Sequence, residues 1–170
     1  MDWNKLFSTD CEVVRLGNQW IYPIFKCGWY GFNATKEESR TNKQITNTDL
    51  ITVFLRDPRE RFVSGVNKYA QIHNLEPSDV VDKIEQGELT DRHWVPQYYW
   101  LMHLSKYYNK DVKLLPMSDI PHNKRNLLKN KKPVRVIEKY TLVDHFIMAA
   151  FLNTTTNLKE LIKECRNVLS

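Results

Sequence analysis

The tightest constraint on this chain is the run Leu50-Ile51-Thr52-Val53-Phe54-Leu55, followed directly by Arg56-Asp57-Pro58-Arg59-Glu60. Six apolar or β-branched residues without a polar alternation suit a strand buried on both faces, the situation of parallel strands covered by helices. Asp57 then offers an N-cap oxygen, and Pro58 suits the first helical turn, where its missing N–H is not needed. Glu60, three residues after the cap, completes a capping-box-like pattern. The stretch reads as strand, tight turn, helix. On that helix Phe62, Val66 and Tyr69 fall at i, i+4 and i+7 and form one apolar face to pack on the sheet, while Ser64 and Lys68 point elsewhere.

Arg56 at the strand end, the free N–H groups of the helix start and the Ser64 hydroxyl can converge on one anion. A helix N-terminus carries partial positive charge and a guanidinium offers a two-pronged fork, so a phosphate is the natural ligand. A solvated Arg/Glu-rich helix start explains the same spacing equally well. Residues 18–27, NQWIYPIFKC, read as a second strand, with Pro23 confining its early part to an edge and Lys26 closing it. Gly28 and Gly31 then bracket Trp29 and Tyr30 in a turn where backbone N–H groups can approach an anion. No Gly-Lys-Ser/Thr follows, so this is not a Walker A loop and nucleoside triphosphate hydrolysis loses its main support.

Elsewhere the pattern predicts a possible edge strand at 12–16, a short helix at 36–40, helices at 77–86, from Pro96 onward, at 141–152 and at 158–168, and strands at 112–116 and 134–140. Thr141 with Asp144 three residues on reads as the cap of its helix. Strands alternating with helices predict an α/β fold whose mainly parallel sheet is flanked by helices, in one domain over 1–170 with its core at about 18–152 and a C-terminal helix at about 157–168. In such sheets ligands bind beyond the C-terminal strand ends, where Lys26 and Arg56 both fall.

A formal charge of +5 favours an anionic partner without choosing among nucleotide, nucleic acid, membrane surface and sulfated glycan. The segment HNKRNLLKNKK at 122–132 reads as a solvated positive face, and no interleaved aromatic and basic motif argues for nucleic acid. Three widely spaced cysteines, Cys11, Cys27 and Cys165, form no zinc pattern and suit a reduced compartment. With no signal-like start and no run of about 18 apolar residues, a cytoplasmic or otherwise soluble intracellular protein without a transmembrane segment is expected.

With these two strand ends, the chain resembles the sulfotransferase family, and more closely its carbohydrate branch. Phe25-Lys26-Cys27-Gly28 is similar to the family's loop for the 5′-phosphosulfate of 3′-phosphoadenosine 5′-phosphosulfate (PAPS). Arg56 to Ser64, RDPRERFVS, is similar to its strand end and helix for the 3′-phosphate, with Ser eight residues after Arg. His93-Trp94-Val95-Pro96-Gln97 resembles a His-Trp-x-Pro segment of carbohydrate sulfotransferases, and Val136 to Leu142 a late strand and helix start. The likeness spans Ile21 to about Leu152 in order. The first loop departs from the pattern, carrying Tyr30 and Gly31 where relatives have Ser or Thr.

The resemblance implies a P-loop-NTPase-like sulfotransferase fold, PAPS as donor, PAP as product, no metal, and a hydroxyl-bearing acceptor, a glycan above all. Lys26, Cys27, Gly28, Trp29, Tyr30, Gly31, Arg56 and Ser64 would bind the donor. Lys26 would neutralise the leaving phosphate, and His93 would take the acceptor proton, an imidazole being well tuned near neutral pH. Glu37 and Glu38 are rival bases. Trp29 could stack on adenine or a sugar, or simply pack. The alternative is a sulfotransferase-like module without turnover that holds a nucleotide or polyanion through Arg56, Arg59, Arg61 and the 124–132 cluster.

Overall fold

The computed structural model describes residues 3–7, 10–120 and 131–170. Its strands are β1 (Glu12–Leu16), β2 (Gln19–Ile21), β3 (Glu38–Thr41), β4 (Leu50–Leu55), β5 (Asp111–Pro116) and β6 (Thr155–Asn157). They form one sheet in the order β3-β1-β2-β4-β5-β6. The helices are α1 (Trp29–Thr35), α2 (Pro58–His73), α3 (Pro77–Glu85), α4 (Gln97–Ser105), α5 (Leu142–Phe151) and α6 (Leu158–Leu169). None of them is long and apolar enough to cross a membrane.

The α/β class is as expected, but the sheet is mixed rather than mainly parallel. β2–β4 and β4–β5 are parallel, whereas β1 runs antiparallel to both β2 and β3, and β6 antiparallel to β5. The cause is a two-residue hairpin. Leu16 pairs with Gln19 across Gly17-Asn18, and Gly17 has φ 59, the left-handed conformation that such tight turns demand. β1 is consequently an interior strand, not an edge.

Three further expectations change. The predicted strand at 18–27 stops at Ile21, because Pro23 has no N–H to give the ladder; Tyr22 N–H makes a last bond to Thr52 O at 3.0 Å. The predicted helix at 36–40 is β3, whose ladder with β1 outweighs a weak local preference, followed by a 3-10 turn at Asn42–Asn47 opened by a Thr41/Gln44 capping box. Residues 134–137 join no sheet. Their apolar side chains Val134, Val136 and Ile137 pack against α2 and α3, and a 3-10 turn at Glu138–Tyr140 follows.

β4 is the central strand and is buried from Ile51 to Leu55. Ile51, Val53 and Leu55 join the main core with Leu101, Leu104, Ile147, Leu161 and Ile162 of α4, α5 and α6. Phe54 faces the other side, with Val14, Ile21, Phe32 of α1 and Ile120. The apolar face of α2 is real but does not pack on the sheet. Phe62, Val66 and Ala70 meet Val80, Val81 and Ile84 of α3, together with Trp94 and Tyr140, in a separate cluster. That side of the sheet is already covered by α4.

His103 of α4 lies in the main layer, 6% exposed, stacked 5.1 Å from the Phe7 ring. Burial lowers its pKa from 6.5 to about 4, with Lys106 and Arg92 adding to the effect. A folded-state value below the unfolded one means that the unfolded chain takes the proton first, so stability falls as pH drops from about 6.5 towards 4. Urea unfolding at pH 7 and pH 5 should therefore show a loss on the order of 2 kcal/mol that His103→Gln removes.

Candidate functional site

A buried polar scaffold joins the ends of β4, α4 and α5. Gln97, the first residue of α4, accepts from Arg56 N–H at Oε1 (2.9 Å) and donates from Nε2 to Arg56 O (3.0 Å). The same Oε1 takes the Cys27 thiol at 3.1 Å. Thr141, with Asp144 three residues on, was expected to cap α5, but its side chain makes no cap bond there; the Asp144 carboxylate instead accepts from Gln97 N (2.7 Å) and Tyr98 N (3.0 Å), capping α4 from α5. Thr141 Oγ1 turns back to Glu138 O at 2.8 Å. Burial pushes Asp144 up, and the Arg61 charge with the backbone N–H bonds pulls the other way.

Arg61 is the second strut. It is 2% exposed and its guanidinium donates to Phe25 O (3.0 Å), Val95 O and Arg92 O (3.3 Å). One side chain of α2 thus fastens the 22–28 loop to the 91–96 loop. Gly65 lets α2 approach this second loop closely: a Cβ there would stand 2.0 Å from His93 O. Arg61 is therefore spoken for and is not part of any anion-binding surface.

Against this frame four cations gather. Lys26 lies five residues beyond β2 rather than at a strand end, in a left-handed conformation (φ 67). Arg56, its side chain 12% exposed, donates from Nη1 to Lys26 O at 3.2 Å. Burial above all, with the charges of Arg56, Lys68 and Lys131, lowers the Lys26 pKa from 10.5 to about 8. Lys26 has no ion pair among the described residues, and the Glu60 carboxylate beside Arg56 stands 4.0 Å from its Nε. Lys131 is carried there by its neighbour: Lys132 N–H donates to Asn67 Oδ1 (2.8 Å) and Asn67 Nδ2 to Lys132 O (2.9 Å), which binds the strand-like segment along α2. Ser64 is buried one turn before Lys68 on that helix.

A cluster of four cations with one exposed carboxylate at its edge, Glu60, carries an excess of positive charge that is unfavourable by itself and becomes favourable when an anion enters. It assembles at the C-terminal end of the parallel pair β2–β4, where such sheets take ligands. The structure brings Lys26 and Arg56 into contact. Asp57 caps α2, its Oδ1 accepting from Glu60 N at 3.0 Å, as expected.

Other predicted residues divide. Cys27 is buried, its thiol held by Gln97 and pushed up in pKa by that burial, so only its backbone is left for a ligand. Gly28 has φ 91, and a Cβ there would meet Ile120 and Phe32 at 2.9 and 3.0 Å, so its glycine is explained by turn and packing. Gly31 is half-buried in α1, Tyr30 is 64% exposed, and Trp29 sits edge-on to Phe25 at 5.0 Å while keeping part of its face open.

His93 lies beside the site through Phe25, whose ring centre is 5.0 Å from the imidazole. Glu37 and Glu38 do not reach it. Both bind Arg15, and Glu37 also accepts from Gly17 N. By register Glu38 lies level with Arg15 and Trp20, three strands from β4 and about 15 Å short of Arg56 along it. Arg59 pairs with Glu138. In the 124–132 cluster only Lys131 and Lys132 fall within the described residues, and Lys132 pairs with Glu76.

Sequence reasoning gave Lys68 and Gln97 no part in the site, and Lys131 a part only as one of the 124–132 cluster in the alternative reading. Lys68 had a signal: it lies four residues after Ser64, on the same helical row. Comparison of the chain with protein-family models, curated proteins and solved structures finds no match.

The strut can be tested directly. Arg61→Met leaves three carbonyls without their donor and Asp144 without its nearest positive charge, and should cost on the order of 3 kcal/mol in urea unfolding. Amide exchange should show the loosening at 22–28 and 91–96 before it spreads to β4.

Proposed function

We propose that the chain transfers a sulfuryl group from PAPS to a hydroxyl of a carbohydrate acceptor. The observation that carries this reading is the convergence of Lys26, Arg56, Lys68 and Lys131 at the end of β4, with Ser64 buried one turn before Lys68 and no ion pair to Lys26 among the described residues. A donor with a phosphate at each end of one ribose needs several cations within a few ångströms, and a guanidinium with a neighbouring hydroxyl suits a terminal phosphate.

In this reading Arg56 and Ser64 hold the 3′-phosphate, with Lys68 and Lys131 supplying charge around it. Lys26 and the backbone of 27–31 hold the 5′-phosphosulfate, and Trp29 lends its open face to a ring. PAPS supplies the sulfuryl group and leaves as PAP. As the acceptor oxygen bonds to sulfur and the bridging sulfur–oxygen bond breaks, charge grows on the departing phosphate, where the Lys26 ammonium is most favourable. His93 takes the proton released by the acceptor hydroxyl. The aromatic-rich segment Trp94 to Tyr99 is packed inward, Trp94 and Tyr98 being buried, so the acceptor wall narrows to His93 and the Phe25–Trp29 edge.

The first loop favours a second reading, a module that binds a nucleotide or polyanion without turnover. Tyr30 and Gly31 offer no short hydroxyl where sulfotransferases carry Ser or Thr, and Tyr30 turns to solvent. Labelled donor with a panel of sugar acceptors separates the two readings: transfer is expected, and tight PAP binding with no transfer would leave only the module.

Two binding measurements follow. Arg56→Ala should weaken PAP by about tenfold to a hundredfold in calorimetry while changing adenosine 5′-phosphate far less; equal losses would remove Arg56 from the 3′-phosphate. At pH 8 the parent should take up about half a proton on binding PAP, because Lys26 titrates near there and a phosphate restores its charge. Calorimetry in buffers of different ionisation enthalpy reads that uptake, and Lys26→Ala should abolish it while lowering turnover by about a hundredfold.

A further inference from the structure

We propose that Asp91 is the positioning residue of the reaction, holding His93 by its Nδ1 so that Nε2 faces the acceptor hydroxyl as a base. This rests on the transfer reading above, and nothing in the sequence had drawn attention to Asp91.

The geometry is specific. Asp91 Oδ1 stands 2.5 Å from His93 Nδ1 and also accepts from His93 N–H at 2.9 Å. With Nδ1–H committed to a carboxylate, the neutral ring must carry its lone pair on Nε2, which has no hydrogen-bond partner among the described residues. The His93 side chain is 18% exposed, so the ring is held yet open on one side. Phe25 packs on it at 5.0 Å and precedes Lys26 in the chain. The loops that carry the base and the leaving-group cation therefore meet at Phe25.

The charges facing this pair come from three elements. The loop itself contributes Arg92, which lies over the Phe25 ring at 4.8 Å. From α2 comes Arg61, spent on the carbonyls of Phe25, Arg92 and Val95. The 22–28 loop contributes Lys26 beyond Phe25. Burial pushes the Asp91 carboxyl up, but the hydrogen bonds from the His93 ring and backbone outweigh it and hold the group below the ordinary range. Asp91 is thus an anion in the working pH range and can stabilise the imidazolium formed when Nε2 accepts the proton.

Asp91 also has a plain structural use. Its carbonyl accepts from Trp94 N at 3.4 Å and Val95 N at 3.2 Å, and its side chain caps the turn. A cap needs an acceptor oxygen but no charge, so Asp91→Asn keeps the turn and the bond to Nδ1–H while removing the anion. Asp91→Ser caps the turn and is too short to hold the ring.

The test measures kcat and KM for the parent, Asp91→Asn and Asp91→Ser with labelled PAPS, and follows the His93 ring by NMR in the same proteins. Asp91→Asn is expected to fold with unchanged PAP affinity, to lose about tenfold or more in kcat with KM little changed, and to keep the Nδ1–H tautomer that the ring NMR reads. Asp91→Ser should lose at least as much activity with its turn intact. An active parent whose kcat is untouched by Asp91→Asn would overturn the role of Asp91 alone. A parent that binds PAP and transfers nothing would overturn the transfer reading, and the catalytic meaning of the pair with it.

Discussion

The hydrogen bonds between the Gln97 side chain and the Arg56 backbone are the point on which this structure depends. β4 ends at Leu55, so the N–H and C=O of Arg56 have left the ladder while still in a half-buried place. Left unpaired, such groups cost about 1–3 kcal/mol each. The Gln97 amide presents one acceptor and one donor in the same arrangement as a neighbouring strand would, and so continues the sheet by one residue with a side chain. Because Gln97 is also the first residue of α4 and is fixed by Asp144 of α5, the end of the central strand is locked to two helices at once.

The binding end of the sheet sits on that lock, and this explains how the cations can be held together. Lys26, Arg56, Lys68 and Lys131 come from a loop, a strand end, a helix and a strap along that helix, and each would move away from the others if free to do so. Arg61 ties the loop, Gln97 ties the strand end, and Asn67 ties the strap through both hydrogen-bonding groups of Lys132. The rigidity of the neutral or internally paired residues stores an electrostatic disadvantage that a polyanion relieves. That division of labour, buried polar struts behind and cations in front, is what the proposed anion site requires.

Much of this was legible locally. Leu50 to Leu55 as a strand buried on both faces, Asp57 as the cap of α2, and the helices opened at Pro77 and Pro96 follow from short-range chemistry: apolar runs, a carboxylate before a helix, and proline where an N–H is spare. Arg56 and Ser64 do lie on the one strand–helix unit that was expected. Lys26 was expected to close a strand at 18–27, but that strand ends at Ile21.

What the sequence by itself determined, then, is each piece whose partners lie within about ten residues. The tertiary structure decided the rest, because its causes are pairings that no local window contains. The Gly17-Asn18 turn made the sheet mixed by folding β1 back on β2, and the extended segment from Val134 packed on two helices because no strand edge was there to receive it. Asp144 had a cap position in its own helix and a better one across the core, where two backbone N–H groups of α4 had no other acceptor. Lys131 reaches Lys26 only because Asn67 binds its neighbour. A charge's meaning depends on what stands within a few ångströms of it, and sequence separation does not limit that distance.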